Sequence, residues 1–206
     1  MAMYFDVIQY SEEWVKLRLG RPTASNFKRI FTPKKMEVSK QSDHYLYTLL
    51  AEYQLQRPAQ EELVLWATER GKDLEPESVD YYELTTGTTT QEAGIFFDDT
   101  MRYGASPDRL IGDEGLLELK NLLPATHLNC LFGGVLPEEH KLQVYGQLFV
   151  SGRKWIDFLS YSPELPPLLV RVMPDKDMFE KLEVGLEEFL RQLEEKKKQL
   201  AALYEK

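Results

Sequence analysis

The chain has 206 residues, 43% hydrophobic and 12% aromatic, which supplies a packed core for one domain and excludes disorder for its bulk. Its formal net charge of −9 argues on average against a polyanionic partner, but the average conceals two opposed blocks. Residues 16–40 hold eight Lys or Arg against one Glu, whereas residues 61–83 hold eight Asp or Glu against two Lys or Arg.

Because the local field steers a charged ligand, this division suits basic contacts in one segment and carboxylates gathered for a cation in another. The single cysteine, Cys130, excludes an internal disulfide framework and fits a reducing compartment. The N-terminus shows no basic segment followed by an apolar run, so no secretory signal is expected. No uninterrupted apolar stretch reaches about 18 residues, so no membrane span is expected either. A soluble intracellular protein is expected.

In chain order, Ser11 ahead of Glu12 and Glu13, with Gly20 at the far end, predicts a short capped helix carrying Trp14, Leu17 and Arg18. Thr23 is placed to cap a second helix over residues 24–31, and residues 32–41 read as a loop. Leu46, Leu49, Leu50 and Tyr53 recur at helical spacing, which predicts a third helix over 42–56. Residues 61–84 read as helix, broken near 71–76 because Pro76 disfavours helical geometry before it.

The texture then changes to short segments suited to strands, at 94–98, 101–111 and 116–122. Residues 112–115, Gly-Asp-Glu-Gly, join the last two as a hairpin. Residues 121–136 read as irregular. Pro137 suits the first position of a helix and Gly152 the position past its end. Strands are expected at 154–160 and 168–172. Met178, Leu182, Leu186, Phe189 and Leu193 then predict a long amphipathic C-terminal helix. The fold class is α/β (α+β), a central mixed sheet flanked by helices.

The chemistry concentrates in Ser106, Pro107 and Asp108, followed after nine residues by Glu118, Leu119 and Lys120. Residues two apart on a strand share a face, so Glu118 and Lys120 point together, with Asp108 at the end of the preceding strand beside them. Two carboxylates suit a hard cation such as Mg²⁺, which polarises a phosphate and acidifies a bound water. The lysine can orient that water or offset charge on the phosphate, and would need a lowered pKa to act as a base. Glu-x-Lys is also a common solvated pattern. Here Leu116, Leu117, Leu119, Leu122 and Leu123 surround it, and burying such charges is costly unless they are paired or metal-bound.

These motifs resemble the PD-(D/E)xK nuclease superfamily and, more closely, the phage lambda exonuclease family of viral alkaline exonucleases. The resemblance runs from about Trp14 to Pro163. It is carried by residues 14–20 (WVKLRLG), 23–25, 47–52, 71–75, 106–108 and 117–120, and by Gln143 with Val144. It implies one nuclease domain over 1–206 with a restriction-endonuclease-like core. The N-terminal helical region (about 11–56) would bind DNA, and the C-terminal helix (about 175–206) would belong to the same unit.

It further implies that Asp108, Glu118, Glu75 and the backbone carbonyl of Leu119 hold Mg²⁺, or Mn²⁺ in its place, with Lys120 beside the attacking water. Arg18, Ser25 and Ser106 would surround the 5′-phosphate, and Gln143 with Tyr145 or Gln147 would touch DNA. An ungapped alignment puts Tyr145 where the family has a second glutamine, so the choice between Tyr145 and Gln147 stays open. His44, His127 and His140 are scattered, and none reads as a ligand.

The activity implied is 5′→3′ digestion of one strand of linear duplex DNA to mononucleotides, leaving a 3′ single strand. A homotrimeric ring around DNA, a single-strand annealing partner and a phage or prophage origin in a bacterial cytoplasm come with it. The rival expectations are a sequence- or structure-specific endonuclease of the same fold and a non-catalytic DNA-end-binding protein. No segment outside the core suits base reading in the major groove, and the intact Asp108, Glu118, Lys120 set counts against a degenerate site.

Overall fold

The computed structural model describes residues 2–32, 36–59 and 73–205. Five strands form a mixed sheet in the order β2 (Gln91–Glu92), β5 (Arg109–Ile111), β6 (Gly115–Asn121), β7 (Trp155–Tyr161) and β8 (Leu168–Val172). Only the β6–β7 pair among them is parallel. A parallel pair needs a crossover, and α4 (Pro124–Gly133) and α5 (Glu138–Ser151) provide it. A smaller antiparallel sheet joins β1 (Met3–Phe5), β3 (Ile95–Phe97) and β4 (Gly104–Ala105). The remaining helices are α1 (Glu12–Arg18), α2 (Asp43–Leu55), α3 (Glu75–Thr86) and α6 (Lys176–Tyr204), with a 3₁₀ helix at Ala24–Arg29.

Strand alternation divides the core. Leu117, Leu119, Leu159 and Tyr161 pack with Val79 and Tyr82 of α3 on one face of the sheet. Leu116, Ile156 and Phe158 pack on the other with Val144 and Leu148 of α5, Phe27, and the inward stripe Leu182, Leu186 and Phe189 of α6. Glu118 and Lys120, in phase with Leu116, therefore emerge under α5. Helix α5 approaches the 3₁₀ helix closely at Gly146, where a Cβ would lie 2.7 Å from the Phe27 ring. Its last turn closes on Gly152, in the left-handed region at φ 67°.

Several expectations need correction. Residues 124–133 form a regular helix: Pro124 sits in its first turn and Gly134 closes it at φ 63°, so the punctuating residues bound a helix instead of preventing one. The segment 101–111 is two strands in different sheets. The turn after Asp98 separates them from β3, with Asp98 accepting backbone N–H groups of Arg102 and Tyr103. Asp108 thus immediately precedes β5 and does not end a strand. Residues 24–29 are 3₁₀, not α, and the Thr23 side chain does not cap them. Pro137 flanks α5 as its cap, one position ahead of its expected place.

The short strands β1 and β2 had no period to read. The stretch 61–72 of the predicted helix and residues 33–35 of the loop lie outside the described residues. Among the described residues, no helix is long and apolar enough to cross a membrane.

Candidate active site

The hairpin β5–β6 delivers the three central residues. Asp108 accepts the backbone N–H of Leu119 on Oδ2 at 2.6 Å, which locks the carboxylate across the start of the hairpin onto β6. Glu118 is 1% exposed. Its Oε1 receives the Lys120 ammonium and the Gln143 amide, and its Oε2 receives the Gln147 amide at 2.6 Å. Gln143 and Gln147 lie four apart on one face of α5, and that face covers β6. Both amides hold the Glu118 carboxylate. Gln147 also reaches the carbonyl of Ser106 at 3.4 Å. Tyr145, between them in sequence, packs against the core, with Lys141 and Asp175 as its charged neighbours.

The electrostatics fit a site built around charge. Burial pushes the Asp108 carboxyl well above the usual carboxylate range and Glu118 adds to the shift, while Lys120 and the Leu119 N–H oppose it. Burial works against the Lys120 ammonium, but Glu118 and Asp108 outweigh it and hold its pKa above the ordinary lysine value. The shift runs opposite to the lowering that a lysine base would need. Glu75, in the first turn of α3, lines the same cleft of about 410 Å³ as Asp108, together with Gln9, Tyr10 and Glu92.

A second cleft, of about 690 Å³, adjoins the first at Tyr10, which lines both. It holds Arg18, Arg21, Arg29 and Arg57 with Thr23 and Asn26. The Arg18 guanidinium lies 3.9 Å over the Trp14 ring and donates to Thr23 Oγ1 at 3.4 Å, and the Thr23 and Ser25 hydroxyls are 3.4 Å apart. Trp14 Nε1 donates to Ser106 Oγ at 2.9 Å. Arg18, Ser25 and Ser106 are therefore brought together, and the side chain joining Arg18 to Ser106 is Trp14. Trp14 lies four before Arg18, one helical turn, so the sequence allows the Arg18 stem to pack on it, but its bond to Ser106 has no local signal.

The donor set suits a hard cation. Glu118 stands close enough to Asp108 to oppose its ionisation, and all four candidate ligands are oxygens. Among the described residues no group of three or more Asp, Glu, His or Cys side chains stands where it could hold a metal ion. That is compatible with Mg²⁺, which keeps several waters and takes one or two carboxylates alongside a substrate phosphate.

Comparison with known proteins follows the same line. Residues 13–154 match the family described as "YqaJ-like viral recombinase domain". The chain belongs to this family.

The crystal structure of an alkaline exonuclease from Laribacter hongkongensis superposes on this YqaJ-like chain with a TM-score of 0.83 at 30% identity, covering 94% of this chain and 98% of that one. The same enzyme in complex with dAMP gives 0.84 at the same identity and coverage. A phage-related exonuclease from Haemophilus somnus 129PT shares the fold, with a TM-score of 0.62 at 12% identity over 85% of this chain and 96% of that one. No curated protein matches the sequence.

Proposed function

We propose that this YqaJ-like domain is a Mg²⁺-dependent nuclease that digests linear duplex DNA from its ends, removing one strand 5′→3′ as mononucleotides. The observation that carries this reading is the junction of two unlike clefts at Tyr10, one lined by Asp108 and Glu75, the other by four arginines. A strand whose terminal phosphate lies among the arginines presents its first internal diester toward the carboxylates. With the 5′-phosphate as the one bound among the arginines, digestion would run 5′→3′.

Asp108 and Glu118, with Glu75 and the Leu119 carbonyl, would hold the metal, which when bound polarises the phosphate and lowers the pKa of a water. The chain's own residues do the rest. Gln143 and Gln147 fix the Glu118 carboxylate. Lys120 carries positive charge at the scissile group. Arg18, Ser25 and Ser106 orient the terminal phosphate, with the bidentate geometry that suits Arg to phosphate.

The reading extends to a homotrimeric ring around the duplex and to supplying 3′ single strands to an annealing protein in phage-type recombination in a bacterial cytoplasm. Light scattering on the purified protein checks the ring against the 24.0 kDa chain mass.

The test of the activity is digestion of linear against covalently closed circular duplex in Mg²⁺. Loss of the linear form alone is expected. Cutting of the circle would favour an endonuclease, and no cutting of either would leave an end-binding protein.

A further inference from the structure

Tyr10 is the residue shared by the two clefts, and neither the carboxylates nor the arginines explain it. Its backbone sits in the left-handed region at φ 68°, which a bulky L residue rarely adopts. Such a conformation persists only where its surroundings hold it, and it tends to mark functional positions. Here the holding is visible one residue earlier. The Gln9 amide donates to the carbonyls of Ala93 at 2.9 Å and Pro107 at 2.7 Å, so the turn is pinned to the segment that carries Ser106 and Asp108.

What the turn presents is a tyrosine left 55% exposed. The ring leans on Trp14 with centroids 5.2 Å apart at 44°, so the side on Trp14 is occupied and its direction is set. Asp108, Glu75, Arg18 and Lys120 all lie within electrostatic reach of it. An exposed, rigidly aimed ring between a phosphate-binding cleft and a phosphate-cleaving cleft faces what lies between two successive phosphates of a strand, a nucleoside.

We propose that Tyr10 is a substrate-positioning residue whose ring stacks on the base of the 5′-terminal nucleotide, holding it between the arginine cleft and the carboxylates. This rests on the end-digesting reading above and adds a contact to the nucleoside. Stacking suits an enzyme that must accept every base in turn, because each base offers a π-face and no hydrogen-bond pattern is read.

The test uses linear duplex with a 5′-phosphate, ending either in a normal nucleotide or in an abasic residue that keeps both flanking phosphates. Release of the terminal residue is measured in a single turnover. Wild type should release the abasic residue about tenfold more slowly, the scale of one aromatic–base stack. Tyr10→Asn removes the ring and suits the left-handed backbone. It should slow release of the normal nucleotide to the abasic rate and bring the ratio to about one. Tyr10→Phe, which keeps the ring, should restore the wild-type ratio.

Equal rates on both ends in wild type, or a wild-type ratio in Tyr10→Asn, would overturn the proposal while leaving end digestion intact. If wild type releases nothing from linear ends, the underlying reading fails and this inference falls with it.

Discussion

Gln147 Nε2 lies 2.6 Å from Glu118 Oε2, and the two residues are 0% and 1% exposed. A neutral amide donating to a buried carboxylate satisfies one of its oxygens and fixes its direction. With Gln143 on the other oxygen, one face of α5 is committed to a single side chain of β6. Gln147→Leu keeps the shape and removes the donor. A hydrogen bond to a charged group contributes about 1.5–3 kcal/mol, so kcat should fall by about ten- to hundredfold with the KM for DNA little changed. A glutamine that instead gripped DNA would raise KM, and steady-state kinetics on one duplex separates the two outcomes.

Asp108→Ala and Glu118→Ala should each abolish Mg²⁺-dependent digestion while DNA is still retained in a mobility-shift assay. The arginines proposed to hold the strand line the neighbouring cleft, which neither carboxylate lines. Near-normal cleavage by either variant would remove that carboxylate from the site.

Glu118 and Asp108 outweigh the cost of burial and raise the Lys120 pKa. Its work is then that of a compact charge held at one point beside Glu118. Lys120→Ala should lose most activity and Lys120→Arg should not restore it, since a planar fork fits differently around the same carboxylate. Full activity of Lys120→Arg in a cleavage assay would show that positive charge alone is enough.

His140, in the first turn of α5, makes stability depend on pH. Its ring sits 5.2 Å from that of Phe158, and burial first, then Lys120 and Lys28, push its pKa down from 6.5 to about 4. Glu139, 3.7 Å away and 61% exposed, is too well solvated to reverse this. Below pH 6.5 the unfolded chain binds a proton that the folded chain refuses. Stability is therefore lost as pH falls from about 6.5 toward 4, and the loss is about 2 kcal/mol by pH 5. Urea unfolding at pH 7 and pH 5 should show wild type losing that much more than His140→Gln. An identical loss in both would place the acid sensitivity elsewhere.

The central triad was legible because its signals are local. A turn at 112–115 folds Asp108 back toward Glu118, and alternation puts Glu118 and Lys120 on one face inside a leucine-rich strand. The spacing of Gln143 and Gln147 gave their common face, but not what it faces. That is set by the approach of α5 over the sheet at Gly146 and Phe27, a tertiary fact without a sequence period. The bond of Trp14 to Ser106 and the place of Tyr10 are not legible for a related reason: they come from segments distant in sequence meeting at Ser106 and Asp108. The helix at Pro124–Gly133 was misread because Pro and Gly were counted as breakers without asking which end of a helix each suits.

The comparison that separates an end-digesting enzyme from any other nuclease on this fold concerns Arg18. Its guanidinium is stacked on Trp14 and donates to Thr23, whose hydroxyl neighbours that of Ser25, while Trp14 itself holds Ser106. A terminal phosphate monoester carries more charge than an internal diester, so a cation fixed here distinguishes a phosphorylated end from a hydroxyl end. Linear duplex with a 5′-phosphate should therefore be digested faster than the same duplex with a 5′-hydroxyl. A charge-assisted contact of about 1.5–3 kcal/mol corresponds to about ten- to hundredfold in rate. Arg18→Ala should slow the phosphorylated substrate by that factor, change the hydroxyl substrate little, and so flatten the ratio between them. If Arg18 serves only to cover the Trp14 ring, its loss should lower stability slightly and leave the ratio as it was. The ratio of the two rates, in wild type and in Arg18→Ala, decides between these roles. A wild type indifferent to the terminal phosphate would also remove the basis for the 5′→3′ direction.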